Sequence, residues 1–328
     1  MSAGSDQLRD PATGIVTLTI NPAIDISTSV KKMMPFTKMR CAPAQRDPGG
    51  GGINVARVLK RLGAEATAVY PAGGATGQAL AALVEGEGVP SIVIPTRNDT
   101  REDITIYDEA SREQFRLVFP GAVLSEFEWQ QCLDAIARMA PQAAFVIASG
   151  SLPAGVPADF YGRVVQAAKG AGRVIVDTSG SSLKSALEMG VYLIKPNLHE
   201  FQDLAGTTSA DEASLVAAGR DLFDRYRIEV VALSMGAEGA LLMTRDTVLR
   251  ANGFPIAPAS VSGAGDSFLG AMVWSLTQDG SLEQALRYGV AGGSAALLNP
   301  GTELCGAADV HRLAAEVTVR AVRAARPA

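Results

Sequence analysis

Val261-Ser262-Gly263-Ala264-Gly265-Asp266-Ser267, followed by Phe268-Leu269-Gly270-Ala271-Met272-Val273-Trp274, joins a turn of small residues to an apolar run of helical character. Gly263, Ala264 and Gly265 leave their backbone N–H groups unshielded, and the helix that follows makes those groups the unpaired donors of its N-terminus. The turn is therefore a cradle for an anion, which the helix dipole also favours. Asp266 falls in the first turn of that helix. Two readings stand. It is a capping carboxylate that serves the helix, or an acid set beside a bound anion, the pairing that phosphoryl transfer requires.

Outward from that turn, short β-branched runs alternate with Ala- and Leu-rich stretches. Ile15 to Ile20, Thr67 to Tyr70, Ala144 to Ala148, Arg173 to Asp177, Tyr192 to Lys195 and Val230 to Ser234 read as strands. Between them, Asn54-Val55-Ala56-Arg57-Val58-Leu59-Lys60-Arg61-Leu62-Gly63 has helical content and ends on a glycine suited to a C-cap. The alternation predicts an α/β fold: a doubly wound, mostly parallel sheet flanked by helices, with ligands at the C-terminal ends of the strands. One region departs from it. From Asp103 to Phe119, apolar and polar residues alternate on either side of a polar Asp108-to-Ser111 centre, as in an antiparallel hairpin. With the Pro-, Met- and base-rich segment Met33 to Arg46 it would form a small antiparallel sheet standing off the core. That sheet is either a lid, over about residues 33–47 and 101–120, or an edge hairpin of the main sheet. No repeat or low-complexity linker divides the chain, so one domain over residues 13–328 is expected after a flexible tail at 1–12.

A chain of 328 residues, 47% hydrophobic and 19% charged, can bury one large core. Its net charge is −5 with both signs mixed along the sequence, so neither nucleic acid nor an anionic membrane is an expected partner. Cys41, Cys132 and Cys305 are odd in number and far apart, which fits a reducing compartment better than a disulfide framework or a zinc site. The first ten residues lack an apolar signal-like core and no apolar run reaches membrane-spanning length, so a cytoplasmic location is expected.

Other candidates for chemistry are spread along the chain. Four glycines in Pro48-Gly49-Gly50-Gly51-Gly52-Ile53-Asn54 are costly in backbone entropy unless the chain passes close to something, and a ligand is one such thing. Asp25, taken as closing the first strand, could accept hydrogen bonds from a polyol, or be an ordinary acidic turn residue. Arg101 and Lys38 fall in the two lid segments and could meet a phosphate, or be solvated surface cations. In Lys195-Pro196-Asn197-Leu198-His199-Glu200, Asn197 and Glu200 stand one helical turn apart. Their oxygens suit a hydrated Mg²⁺, and equally a capping box. Ser234-Met235-Gly236-Ala237-Glu238-Gly239 is a small-residue turn with room for a nucleotide, or a plain hairpin turn. A dinucleotide-dependent dehydrogenase would need a Gly-x-Gly-x-x-Gly turn after the first strand, where this chain has Asn21-Pro22-Ala23-Ile24-Asp25.

In this order, Gly49 to Arg57, Ser149-Gly150-Ser151-Leu152-Pro153, Lys195 to Glu200 and Val261 to Ser267 resemble the motifs of the ribokinase-like (PfkB) family of carbohydrate kinases, and the likeness runs from about Ile15 to the end. The resemblance implies a ribokinase-like fold and ATP-dependent transfer of phosphate to a sugar phosphate. Asp266 would be the catalytic base, Gly263 to Gly265 the anion hole, and Asn197 with Glu200 the organisers of Mg²⁺ through water. Asp25, Gly49, Gly50, Asn54, Arg101 and Ser151 would meet the sugar phosphate, and Lys38 would lie near the transferring phosphate. Lys195, Asn197, Ser234, Gly236 and Gly239 would serve ATP. By the same resemblance, backbone carbonyls near Ser262, Asn299 and Gly301 are candidate ligands for K⁺, and two copies would form a homodimer through their lids. Arg40-Cys41-Ala42-Pro43 and the all-glycine run look most like the 6-phosphofructokinases of the family, which make fructose 1,6-bisphosphate from fructose 6-phosphate. The 1-phosphofructokinases and tagatose-6-phosphate kinases usually carry Lys where Gly51 stands. Asp103 stands where phosphosugar kinases generally have Asn, and an acid there repels a phosphate unless it pairs with Arg101 or faces away. A nucleotide-sensing protein without catalysis, on the same scaffold, would show erosion of the acid or the anion hole.

Overall fold

The computed structural model of the protein describes residues 14–278 and 280–322; the expected tail at 1–12 lies outside them. Strands are numbered in chain order: β1 (Gly14–Leu18), β2 (Ala23–Val30), β3 (Gln45–Gly49), β4 (Ala66–Gly73), β5 (Ser91–Thr96), β6 (Arg101–Asp108), β7 (Glu113–Leu117), β8 (Ala143–Ser149), β9 (Arg173–Asp177), β10 (Val191–Ile194), β11 (Ile228–Ser234), β12 (Ala240–Met243), β13 (Val248–Ala251) and β14 (Val319–Ala321). The helices are α1 (Gly51–Arg61), α2 (Gly74–Gly86), α3 (Glu126–Met139), α4 (Phe160–Ala167), α5 (Gly180–Met189), α6 (Leu198–Ala205), α7 (Glu212–Arg225), α8 (Ala264–Thr277), α9 (Leu282–Ala296) and α10 (Ala307–Glu316).

Among the described residues, ten strands form one sheet in the order β14-β13-β12-β11-β10-β9-β8-β1-β4-β5. From β5 through β11 every pairing is parallel, and β12 to β14 complete the far edge antiparallel. Period-two alternation explains why both faces are covered. In β8, Phe145 and Ile147 point into one apolar cluster with α1, α2, α8, α9 and α10, whereas Val146 and Ala148 point into another with α3 to α7. All six runs expected from β-branched content are strands. The short β12, β13 and β14 escaped that reading because three or four residues carry too little periodicity.

The second sheet runs β3-β2-β6-β7. The expected Asp103-to-Phe119 hairpin is present as β6 and β7, with Ile104 opposite Leu117. Two of its three pairings are antiparallel, and the central pair, β2 with β6, is parallel. Asp25 does not close the first strand. That strand ends at Leu18, and Asp25 lies within β2, opposite Asp47 of β3 and Asp103 of β6. Most of the Met33-to-Arg46 segment is irregular, and its C-terminal end feeds β3.

Candidate active site

A cavity of about 370 Å³ opens where the sheet changes direction. Sequence order runs one way from β1 to β4 and the other way from β1 to β8, and the strand C-termini diverge there to leave a crevice. Ser149 ends β8, Asp177 ends β9 and Lys195 follows β10, all on the cavity wall. The small sheet supplies Asp25, Arg101, Asp103 and Arg116 to the opposite wall.

Asp266 sits between the two walls, in the first turn of α8. The N-cap of α8 is Gly263, in the left-handed region at φ 73°, and no side chain caps the helix. Its first amides therefore face the cavity wall without a protein side chain bonded to them. A side chain at 263 would also collide with Leu304. Asp266 is not the cap: its Oδ2 accepts a hydrogen bond from Asn54 Nδ2 at 2.9 Å. Burial pushes the Asp266 carboxyl up to about 6, the Asn54 hydrogen bond and Lys195 opposing, and the Asp177 and Asp25 charges adding to the rise. A carboxylate beside open helix amides can take a proton while the amides hold the charge that develops next to it.

Lys195 is buried, with Nζ 3.4 Å from Asp177 Oδ1 and close under Gly265. Burial works against its charge, but Asp177, Asp266 and Glu200 outweigh it and hold the ammonium above its ordinary pKa. Asn197 and Glu200 line the cavity and also form the capping box of α6: Glu200 Oε2 accepts from Asn197 N, and Asn197 Oδ1 accepts from Glu200 N, each at 2.9 Å. Both readings of that spacing are therefore compatible, since the box leaves Oε1 of Glu200 available. Ser234 bridges to Asn197 beside the cavity, its N–H donating to Pro196 O at 3.0 Å. Gly236 and Gly239 shape the β11–β12 turn; neither they nor Ser234 lines the cavity itself.

On the other wall, Asp25 is buried and its carboxyl is raised to about 6 by burial, with Arg116 opposing most strongly. Gly49 ends β3 beside it, Gly50 and Ser151 line the cavity, and Ser151 Oγ accepts from Asn21 Nδ2 at 3.1 Å. Asp103 pairs with Arg101, Oδ2 to Nη1 at 3.2 Å, and its Oδ1 accepts from Phe119 N at 2.9 Å. Lys38, expected near the transferring phosphate, stands apart from the cavity as well. It is exposed on the irregular segment after β2 and lies off the cavity wall, so here the buried cation nearest the cradle is Lys195. Ser262 lines the cavity, whereas Asn299 and Gly301 lie on the loop before α10, where Asn299 Nδ2 donates to Leu304 O at 2.8 Å.

Asp177 and Arg116 were not singled out from sequence. Asp177 gave a signal, a carboxylate at a strand C-terminus. Arg116 gave none, because an alternating hairpin places polar residues outward by default. Among the described residues, no three His, Cys, Asp or Glu side chains cluster as a metal cage, and no helix is long and apolar enough to cross a membrane.

The family model for pfkB family carbohydrate kinases matches residues 16–308. The chain is 46% identical over 308 residues to the ATP-dependent 6-phosphofructokinase isozyme 2 of Mycobacterium tuberculosis, covering 93% of this chain and 91% of that protein. Its structure resembles that of phosphofructokinase-2 from Escherichia coli in complex with potassium, with a TM-score of 0.88 and 38% identity over 93% of this chain and 99% of that one. The same Escherichia coli enzyme in complex with fructose-6-phosphate gives 0.87 with equal identity and coverage. With the ordered motifs, the crevice they line and a match that spans most of its length, this chain belongs to the PfkB family of carbohydrate kinases.

Proposed function

We propose that the protein is an ATP-dependent 6-phosphofructokinase that transfers the γ-phosphoryl group of ATP to the 1-hydroxyl of fructose 6-phosphate. The observation that carries this reading is the position of Asp266, between an uncapped helix N-terminus on one side and the Asp25, Arg101 and Arg116 wall on the other. The sugar phosphate lies against the small sheet, its phosphate toward Arg101 and Arg116 and its hydroxyls toward Asp25, Asn54 and Ser151. Asp266 takes the proton of the 1-hydroxyl as that oxygen bonds to the γ-phosphorus, and the bond to the β–γ bridging oxygen breaks to release ADP. The Gly263 to Gly265 amides and Lys195 hold the charge that grows on the phosphoryl oxygens. ATP lies along the Lys195, Asn197 and Ser234 side, where the open space around Gly236 leaves room over the β11–β12 turn.

Mg²⁺ fits Asn197 and Glu200 through water, since a two-residue site with one free carboxylate oxygen suits a cation that keeps most of its waters. When bound, it offsets phosphate charge. Ser262, on the loop before α8, and Asn299 and Gly301, on the loop between α9 and α10, are the proposed K⁺ carbonyls, in line with the potassium complex of the Escherichia coli enzyme. Met34, Phe36, Phe115, Leu117 and Phe119 are exposed on and beside the small sheet, which supports a homodimer through that sheet acting as a lid. A cytoplasmic setting agrees with three unpaired cysteines.

Gly51 supports the 6-phosphate over the alternatives. A side chain there would run into Ser149, so the Lys typical of 1-phosphofructokinases cannot be placed without moving β8. A coupled ADP-release panel over fructose 6-phosphate, fructose 1-phosphate, tagatose 6-phosphate and free fructose tests the assignment. The highest kcat/KM is expected for fructose 6-phosphate; preference for a 1-phosphate would replace the substrate, and no ADP release with any of them would sink the kinase reading.

The Asp103–Arg101 pair adds a second expectation. Asp103→Asn keeps an acceptor for Phe119 N but removes the charge that competes with a phosphate for Arg101. KM for fructose 6-phosphate should fall about three- to tenfold with KM for ATP unchanged. A raised sugar KM would place the phosphate elsewhere.

A further inference from the structure

Arg57 lies behind the active site on α1, three residues after Asn54, and is buried with 1% of its surface exposed. Its Nη1 donates to Asn54 Oδ1 at 3.2 Å and to Pro48 O at 2.9 Å, and its Nη2 donates to Glu87 Oε1 at 2.6 Å. Asp47 of β3 approaches the same Nη2 at 3.8 Å, and Asp47 in turn accepts from Thr302 Oγ1 at 2.7 Å. The guanidinium is thus fixed from four directions. Its buried Nε has no partner, so the two terminal nitrogens carry all of its hydrogen bonds and aim them at Asn54, Pro48 and Glu87.

We infer that Arg57 is a positioning residue for the catalytic base: it fixes the Asn54 amide so that Nδ2, and never Oδ1, faces Asp266. An amide can rotate by half a turn and exchange its oxygen for its nitrogen, but a guanidinium has only donors. With Asn54 reversed, its NH₂ would meet Arg57 and its oxygen would meet the Asp266 carboxylate, two repulsive contacts in place of two hydrogen bonds. Arg57 therefore determines that Asp266 is held by a donor, which keeps the carboxylate ionised and fixes the oxygen that receives the proton. The other groups facing Asp266 are Asp177 and Asp25, which disfavour its charge, and Lys195, which favours it. None of them can replace a neutral donor at Oδ2.

The inference rests on Asp266 being the base, and two substitutions test it separately from that reading. Arg57→Met retains the apolar stem without donors; Arg57→Lys retains the charge, but one ammonium cannot serve Asn54, Pro48 and Glu87 in the geometry of the fork. The acid limb of the kcat profile should rise by about one pH unit in Arg57→Met and by a smaller step in Arg57→Lys. Turnover at neutral pH should fall about ten- to a hundredfold in the Met variant, with both KM values within about twofold. In an Asn54→Leu background, Arg57→Met should shift neither the limb nor kcat further. A merely structural Arg57 would lower the melting temperature with the limb in place, or add its full effect on top of Asn54→Leu, and either result overturns the inference. If Arg57→Met does not fold, Arg57→Lys decides, and a limb at the wild-type position rejects the role. Should Asp266→Asn retain full turnover, the base assignment fails first, whatever Arg57 does.

Discussion

Asp266→Asn is expected to lower kcat about 10²- to 10⁴-fold while nucleotide binding survives, because the variant loses the proton acceptor and little else. Asparagine retains a side-chain oxygen to accept the Asn54 Nδ2 hydrogen bond, and the helix amides of Gly263 to Gly265 are untouched. The native enzyme should lose activity as pH falls through about 6, where the half-buried Asp266 carboxyl takes up its proton. The same substitution should make the protein more stable. A carboxyl raised from 3.8 to about 6 holds its proton more tightly folded than unfolded, so native stability declines as pH rises between those values and stays lowered above them. A shift of this size corresponds to about 3 kcal/mol, an upper figure for a half-buried group. Calorimetry at pH 8 and pH 4.5 should find Asp266→Asn stabilised at the higher pH and only about a third as much at the lower. Unchanged turnover would remove Asp266 as the base, and a loss of stability at pH 8 would contradict the electrostatic account of its environment.

Lys195→Met should be damaging to both stability and rate. Its ammonium lies 3.4 Å from Asp177 and also faces Asp266 and Glu200. Removing one member of a buried pair leaves the other charge uncompensated, at a cost of about 3–5 kcal/mol. Asp177 and Asp266 would then face each other without a cation, so the Asp266 carboxyl would rise further above 6 and less of it would be ionised at neutral pH. Turnover at pH 7 should fall about 10²- to 10³-fold, with part of it recovered toward pH 9. The loss of melting temperature should be largest above pH 6, where the Asp266 carboxylate is charged, and should shrink toward pH 5. A variant with native melting behaviour and an unmoved acid limb would show that Lys195 is tied to the nucleotide alone.

Several parts of this site are legible in local sequence because local sequence causes them. The Asn197/Glu200 spacing gives a capping box wherever a helix starts at Leu198, and the Gly263 turn gives open amides wherever α8 follows. The Asp103-to-Phe119 alternation gives a hairpin for the same reason. Strand β2 was not read, although Ile24, Ile26 and Val30 alternate with Asp25, Ser27 and Ser29, because Asn21-Pro22 resembles a loop and no neighbour in sequence pairs with it until β3. Asp25 therefore lies on β2 and lines the cavity, rather than closing the first strand.

The residues themselves determined a doubly wound sheet, a helix N-terminus open to an anion and an acid beside it, since each follows from periodicity or from the chemistry of a few adjacent positions. Tertiary structure alone decided which groups meet. Asn54 reaches Asp266 across 212 residues, Asp177 closes on Lys195, and Lys38 stays outside. Contacts of that range depend on how strand ends converge at the centre of the sheet, a geometry set by the packing of both apolar faces and by no single stretch of the chain.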